Sequence, residues 1–502
     1  MGKHREVEDK YDADPELVLP LLAEVTGVAA VGAPEEHDLE ATYFDTADLR
    51  LVAAGITLRR RTGGTDDGWH LKLPGKGART EIQEPLGSDA VPDRLRAVVR
   101  ALVRDADLSP VAVLRTRRTT RNLLAEDDTV LAELADDVVC SHLPRAEGRE
   151  QEWRELEVEL VSGDQELLKA AGTHLVHAGA RRSRSGSKLT RALGDHVPGA
   201  RTIAPERTDD DAAVLVLARL STQVEVVVNN DPLVRENLPE SVHDMRVATR
   251  RLRSALATYR PFLDRMVSDP LRAELKWLGD ALGDVRDAEV QEAALVTLLD
   301  EVGRADGPEE LARAATLDRM RVRTEFSERY QAAHARCLEA MTSDRYFALL
   351  DAMERLVARP TWTPKAHQPI DDVVLRRVRH EWKRVMKRVP DADTDTGLHE
   401  VRKALKRFRY AVEPLRDLYG KDAKKLVREL KSIQDVLGAH HDSITLRGEL
   451  VALAEAAAER GEASLVLGIA YAHEVEEARR LAAEFEVRWP AVAKKSRRRW
   501  LG

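Results

Sequence analysis

Between residues 1 and about 197, charges recur at every second position in short runs. These are Glu6-Val7-Glu8-Asp9-Lys10, His70-Leu71-Lys72-Leu73, Glu81-Ile82-Gln83 and Glu155-Leu156-Glu157-Val158-Glu159. A period of two belongs to a β-strand, whose side chains alternate between faces. Each run therefore puts its charges on one face and Val, Leu or Ile on the other. Gly63-Gly64, Pro74-Gly75 and Gly77 supply turns between them. Helical stretches are expected from about Asp14 to Val25 and from about Asp93 to Val103, covering apolar faces.

For one strand taken alone, the simple reading is a polar face turned to water. Across the segment, however, the signs are sorted. Glutamates gather at its two ends, while Arg59, Arg61, Lys72, Arg79, Arg115, Arg118 and later Lys188 supply cations. A sheet closed into a barrel would turn these faces inward. Such an interior calls for a charged ligand, because buried like charges repel and desolvation is expensive. A polyanion with a hard divalent cation suits both sets of charges.

The ordered motifs carry a resemblance. Glu6, Glu8 and Lys10 form an ExExK pattern. It is followed by Tyr43-Phe44-Asp45-Thr46, Leu58-Arg59-Arg60-Arg61, Lys72, Arg79 with Glu81, Arg115 to Arg118, Asp136-Asp137, Glu155 to Glu159 and Ser187-Lys188. Over about residues 1–197 this resembles the CYTH, or triphosphate tunnel metalloenzyme, superfamily. The resemblance implies a closed antiparallel barrel that binds a triphosphate with Mg²⁺ or Mn²⁺. It implies metal-side carboxylates at Glu6, Glu8, Glu155 and Glu157, with Asp136 and Asp137 competing for one more acidic role. Arg59, Arg61, Lys72, Arg118 and Lys188 are the implied triphosphate ligands. Arg115, Arg117 and Arg118 compete for one basic role, and the run Arg59-Arg60-Arg61 needs only two members inside. Lys10, beside Glu6 and Glu8, is similar to the signature lysine that orients phosphate or the attacking water. Phosphoanhydride hydrolysis asks mainly for position and charge neutralisation. No nucleophilic triad is evident, and Gly75-Lys76-Gly77 and Gly186-Ser187-Lys188 lack P-loop spacing.

The segment 198–210, rich in Pro and Asp, reads as a linker. After it the periods become helical, and the chain repeats itself. His243, Arg246, Arg250, Arg251 and Arg253 correspond to His399, Arg402, Lys406, Arg407 and Arg409 at a constant offset of 156. The run from Leu275 matches the run from Leu430, pairing Gly283 with Gly438 and Asp287 with Asp442. Two copies, about 211–360 and 370–502, are too few for a solenoid. A pseudo-symmetric helical bundle is expected, which makes the whole chain α+β.

On a helix, His243, Arg246, Arg250 and Arg253 fall within about a quarter-turn of one another, and His399, Arg402, Lys406 and Arg409 repeat that stripe. A solvated basic face usually intersperses glutamate; here Asp244 is the only acid between His243 and Pro261. The segment Arg376 to Arg388, including Arg379 and Lys383, adds more cations. The chain as a whole carries a net charge of −8, so concentrated positive stripes imply a local polyanion site. Aromatic interleaving of the kind that stacks bases is missing, which argues against a specific nucleic-acid partner. The paired histidine-led helices resemble the CHAD domain over about residues 211–502. That resemblance implies a basic cavity binding long-chain inorganic polyphosphate. Core histidines at His243 and His399 are the alternative. His440-His441-Asp442 invites a metal reading, but its counterpart is Val285-Arg286-Asp287, so the pair is not a repeated requirement.

Cys140 and Cys337 are too few for a disulfide framework. The N-terminal residues lead into no signal-type apolar region, and no apolar run approaches the ~20 residues of a spanning helix. A cytoplasmic protein without a membrane partner is expected. The CYTH-then-CHAD order resembles bacterial inorganic triphosphatases and implies hydrolysis of inorganic tripolyphosphate. Thiamine triphosphate and ATP present the same charges and stay open. The rival expectation is a polyphosphate-recruiting protein that does not cut its ligand.

Overall fold

The computed structural model describes residues 3–64, 66–75, 78–144, 150–198, 211–304 and 309–502, with side chains from Glu6 onward. The expected linker, beyond residue 198, lies outside the described residues. The chain is α+β and separates into two compact units, Met1–Arg201 with Asp231–Glu236, and Thr202–Asn230 with Asn237–Gly502.

In the first unit the alternating runs are strands of one antiparallel sheet. β1 (Lys3–Glu6) and β2 (Glu8–Ala13) are one N-terminal strand interrupted at Val7. After β3 (Ala30–Val31) and β4 (Glu35–Asp45) come β5 (Thr57–Thr62), β6 (Gly68–Leu73) and β7 (Arg79–Glu84). The long strands β8 (Ser109–Leu124), β9 (Val130–His142) and β10 (Glu150–Leu160) follow, with the short β11 (Arg181–Arg182) last. Neighbours run β1-β7-β6-β5-β4-β8-β9-β10-β2. Because β1 pairs with β7 and β2 with β10, the strand around Val7 closes the sheet into a barrel.

The alternation sorts the two faces as expected. Outward residues Tyr11, Leu134, Leu156 and Val158 are buried under Leu167, Leu168, Ala171 and Leu175 of α3 (Gln165–His177). On the preceding side lie α1 (Arg50–Ala53) and α2 (Asp93–Val103), the second of them at the expected place. The helix expected from Asp14 to Val25 is absent: only a 3-10 turn at Leu22–Glu24 forms there. Pro20 would remove a backbone donor and clash inside a helix, and α3 covers that face instead. At one end of the barrel α4 (Lys188–Leu193) packs Leu189, Ala192 and Leu193 against Tyr43, Leu114, Val139 and Trp153. Ser187 caps this helix by accepting from Thr190 N at 3.1 Å, a typical N-cap bond. Its first residue, Lys188, thereby enters the barrel interior.

The second unit is helical. α5 (Ala212–Arg235), α6 (Ser241–Thr258), α7 (Arg265–Arg304), α8 (Glu309–Thr342) and α9 (Asp344–Ala358) form its first part. α10 (Ile370–Arg388), α11 (Asp395–Val412), α12 (Gly420–Glu459) and α13 (Leu465–Val492) form the second. The repeat is visible in the lengths: α6 and α11 each have 18 residues, α7 and α12 each 40. α5 is long and apolar enough to cross a membrane by length and composition, against the sequence expectation. In this structure 61% of its most apolar window is buried inside the protein. There Leu215, Val216, Leu220 and Val227 serve as core.

Candidate active site and anion groove

The barrel encloses a tunnel of about 360 Å³ lined by Glu6, Glu8, Lys10, Arg59, Arg61, Lys72, Arg118, Glu157 and Lys188, among others. These are expected site residues from separate strands and from α4, and the fold brings them into one cavity. Parity explains each. Thr57, Arg59 and Arg61 of β5 face inward, while Leu58 is buried on the outer face and Arg60 pairs with Asp89.

The interior is an ordered alternation of ion pairs. Lys72 donates to both oxygens of Glu6, at 2.7 and 2.8 Å, and lies 3.7 Å from Glu81. Glu81 also takes a 2.9 Å bond from His70 and lies 3.7 Å from Arg59. Burial works against its charge. The His70 bond, Lys72 and Arg59 nevertheless hold the carboxyl well below the usual range. Glu6 is pushed up, by burial first and, against the pull of Lys72, by Glu81. Arg118 forms a bidentate pair with Asp137, at 2.8 and 2.7 Å, and donates to Glu157 at 2.8 Å. Lys10 bonds Glu157 and, at 3.0 Å, Glu8. Burial and the neighbouring Arg59 and Arg118 push Arg61 down to about 9, although it pairs with Asp66.

Asp137, Glu155 and Glu157 are buried, with carboxylate oxygens within 4.8 Å of one another. The three could hold a metal ion. Here Lys188 stands among them, at 2.9 Å from Asp137 and 2.7 Å from each glutamate. A second acidic set lines the same tunnel. In the pairing of β2, β10 and β9, Glu8 lies opposite Glu159, and Glu159 opposite Glu133; all three line the tunnel. Like charges directly opposite in a sheet are destabilising. This row of oxygen donors could therefore take a hard divalent cation.

Two expected residues fall outside. Arg115 points to the surface, its side chain 77% exposed, and pairs with Glu40 at 2.9 Å. Arg118 takes the basic role, because only even-numbered members of β8 from Leu114 to Thr120 face the cavity. Asp136 likewise faces out and bonds Arg154 at 2.8 Å, while Asp137, fully buried, takes the inner position. Glu155 is buried beneath the lining, bonded by Trp153 Nε1. Sequence reasoning did not assign Glu133. Its signal was its spacing of four from Asp137, which puts both on one face of β9. Asp45 of the Tyr43-Phe44-Asp45-Thr46 run is structural: its carboxylate accepts from the backbone of Thr46, Leu51 and Val52 at 2.7–2.9 Å.

In the helical unit the two stripes meet. Arg250 Nε donates to Tyr410 Oη at 3.1 Å. Burial, then Arg402 and Arg250, push Lys406 down to about 7. Arg402 is lowered by burial and by both Arg250 and Arg246, against Asp442. The copies also match in detail. The Arg246 guanidinium lies against Gly283 and the Arg402 guanidinium against Gly438, the equivalent glycine. Arg246 pairs with Asp287 at 2.9 Å. His399 lies against His441 with ring centroids 4.3 Å apart and planes tilted by 42°, and His399 Nδ1 is buried without a hydrogen bond, unlike a satisfied core histidine. His243 is lowered by burial, then by Arg286.

Other expected members have partners of their own. Arg253 is influenced by Asp280 and Arg272, and Arg409 pairs with Glu413 at 3.5 Å. Arg379 donates to the Leu501 and Gly502 carbonyls at 2.9 and 3.2 Å, so the C-terminal residues occupy it. Lys383, one turn further on that side of α10, is exposed.

Family comparisons agree with this division. A CYTH domain model matches residues 4–193 and a CHAD domain model residues 218–451. The uncharacterized protein Rv2226 of Mycobacterium tuberculosis is 36% identical over 511 residues, covering 97% of this chain and 96% of its own length. PptA from Streptomyces chartreusis is 22% identical with a TM-score of 0.47, covering 56% of this chain and 99% of its own. The CHAD domain from the plant Ricinus communis is 25% identical with a TM-score of 0.45, covering 58% and 95%.

Proposed function

The chain belongs to the CYTH–CHAD proteins, and from that premise we propose that its barrel hydrolyses inorganic tripolyphosphate while its helical unit binds long-chain polyphosphate. The observation that carries this reading is that one tunnel gathers both kinds of charge. Arg59, Arg61, Lys72 and Arg118 can take phosphate oxygens, and the Glu8–Glu159–Glu133 row lines the same cavity.

A triphosphate would lie along the cations, whose guanidinium forks suit phosphate oxygens. A divalent ion, Mg²⁺ or Mn²⁺, held by the glutamate row would neutralise phosphate charge. Water then adds to a terminal phosphorus, the P–O–P bond breaks, and pyrophosphate and orthophosphate leave. Glu8, bonded to Lys10, is suited to accept the proton from that water. Arg118 and Lys72 stabilise charge on the departing phosphate. The residues speak only of a triphosphate; the choice of tripolyphosphate follows the CYTH-then-CHAD order. In the helical unit Arg246, Arg250, Arg402 and Lys406 would take a flexible phosphate chain without a metal. Two free cysteines accord with a cytoplasmic setting.

The test is phosphate release from tripolyphosphate, thiamine triphosphate and ATP, each with Mg²⁺ and with Mn²⁺. Turnover of tripolyphosphate that exceeds the other two supports the reading. Binding without turnover of any of them makes the barrel a holder of phosphate chains.

A further inference from the structure

A second concentration of charge lies on the helical unit, apart from the groove. Arg260, Arg265, Arg272, Arg377, Arg384 and Arg407 line a cavity of about 370 Å³ together with Ala257 and Pro261. They come from the end of α6, the start of α7, and from α10 and α11. Their ion pairs within 4 Å, among the described residues, go to two carboxylates. Asp269 takes Arg260 at 2.5 Å and Arg272 at 3.8 Å. Glu381 takes Arg407 at 3.2 Å, Arg384 at 3.8 Å and Arg377 at 4.0 Å. Six guanidinium groups thus share two acids. Burial, and the nearness of Arg384 and Arg272, lower Arg407 against the pull of Glu381. The Nε atoms of Arg272 and Arg407 are buried without hydrogen bonds.

The internal repeat shows how such a cluster is satisfied elsewhere. At the repeat offset, Arg407 corresponds to Arg251 and Ala257 to Glu413. Glu413 is a buried carboxylate that gathers Arg219 at 2.8 Å, Arg409 at 3.5 Å and Arg251 at 3.8 Å. Arg272 belongs to the run that matches at an offset of 155, as Leu275 does with Leu430, and corresponds there to Val427. One copy therefore fills the position with its own anion and has fewer arginines. The other has alanine there, an added arginine, and an open cavity.

We propose that this arginine basin is a site for a compact, multiply charged phosphate anion of the pyrophosphate class. Guanidinium forks match phosphate oxygens bidentately. One carboxylate-sized charge would leave most of the excess unmet, whereas two linked phosphates, at about −1.5 to −2 each, would meet it. A cavity of about 370 Å³ suits a short ligand better than a long chain. The site does not depend on the chemistry of the tunnel.

The experiment is calorimetric titration of the full chain with sodium pyrophosphate, metal-free, comparing wild type with Ala257→Glu and Arg272→Val. Each variant installs the residue the other copy already carries. Ala257→Glu should remove one pyrophosphate per chain from the stoichiometry, or weaken that site by roughly tenfold or more through like-charge repulsion. Its thermal midpoint without ligand should rise. Arg272→Val should weaken the same site and leave long-chain polyphosphate binding intact. Arg250→Glu with Lys406→Glu, in the groove, should leave the pyrophosphate site unchanged. An unaltered stoichiometry and affinity in both basin variants overturns the proposal, as does loss of the site in the groove variant alone. Either result leaves the tunnel assay unaffected, so the two readings fail separately.

Discussion

The Lys188 ammonium lies 2.7 Å from Glu157, and the same nitrogen reaches Glu155 and Asp137. One cation from a short helix therefore bridges three carboxylates from two strands. Removing one member of a buried ionic set leaves uncompensated charge and costs roughly 3–5 kcal/mol. Lys188→Met should accordingly lower the melting temperature and abolish turnover. Arg118 still pairs with Asp137 and Glu157, so folding at low temperature should survive. Thermal melts beside a tripolyphosphate assay check both halves of this expectation.

Neighbouring residues should behave oppositely. Asp137→Asn should reduce turnover by about tenfold to a hundredfold, the scale of losing a group that holds others in place, because Asp137 fixes Arg118 and Lys188. Asp136→Asn, which loosens only the Arg154 pair, should leave turnover little changed, since that pair stands outside the tunnel lining. Arg115→Ala should be silent in both assays. Equal losses for Asp136→Asn and Asp137→Asn would sink the inward assignment of Asp137.

The Glu8–Glu159–Glu133 row makes a prediction about metal. Without a cation, Glu159→Gln should raise the melting temperature, because it removes one of three facing like charges. With Mg²⁺ or Mn²⁺ present the order should reverse, since a ligand that binds only the folded state stabilises it by mass action. The measurement is a melt in EDTA and across a metal series. A variant that gains nothing in EDTA would show that the row is already neutralised by protein groups.

Lys406 titrates near neutrality, because burial and the cations Arg402 and Arg250 outweigh Asp442. The sign follows. The folded chain loses this proton near pH 7, while an unfolded lysine keeps it to about 10.4. The unfolded state thus binds more protons between these values, and stability from this group rises with pH over that window. Polyphosphate affinity should move the other way, falling from pH 6 to 8.5 as the ammonium is lost. His441, pushed down to about 4 by burial and His399, stays neutral throughout. The affinity of Lys406→Met should be lower at pH 6 and flat with pH. A pH slope that survives Lys406→Met would assign it to another group.

Salt should separate the groove from a solvated face. Each phosphate neutralised releases condensed counterions, so polyphosphate affinity should fall steeply with ionic strength. Arg246→Ala should weaken it modestly, since the chain can slide to Arg250 and Arg402. Arg250→Glu combined with Lys406→Glu should cost more than either alone, because these side chains act on one another. Salt-insensitive binding would mean the stripes serve only solubility.

Much of this was legible in the sequence because a strand's period transmits parity. Once Glu6, Glu8 and Lys10 are placed inside, every second residue follows. Parity within β9 was different. Asp136 and Asp137 are adjacent acids, and only the pairing of Asp137 with Arg118 decides between them. The stripes were legible because α6 and α11 carry them on single helices. The arginine basin was not: its residues come from four helices, share no spacing, and meet only when those helices pack. The failed helix at Asp14–Val25 is a case of apolar spacing overruled by Pro20.

The interruption at Val7 has a kinetic side. The strand that carries Glu6, Glu8 and Lys10 is made early, yet its partner β10 ends only at Leu160. Its hydrogen bonds on that edge must wait until most of the barrel has been synthesised. Pairings of such long sequence separation slow folding. The Lys10–Glu157 ion pair therefore forms only in this closing step, and a nascent chain holds Glu8 and Glu159 apart until then.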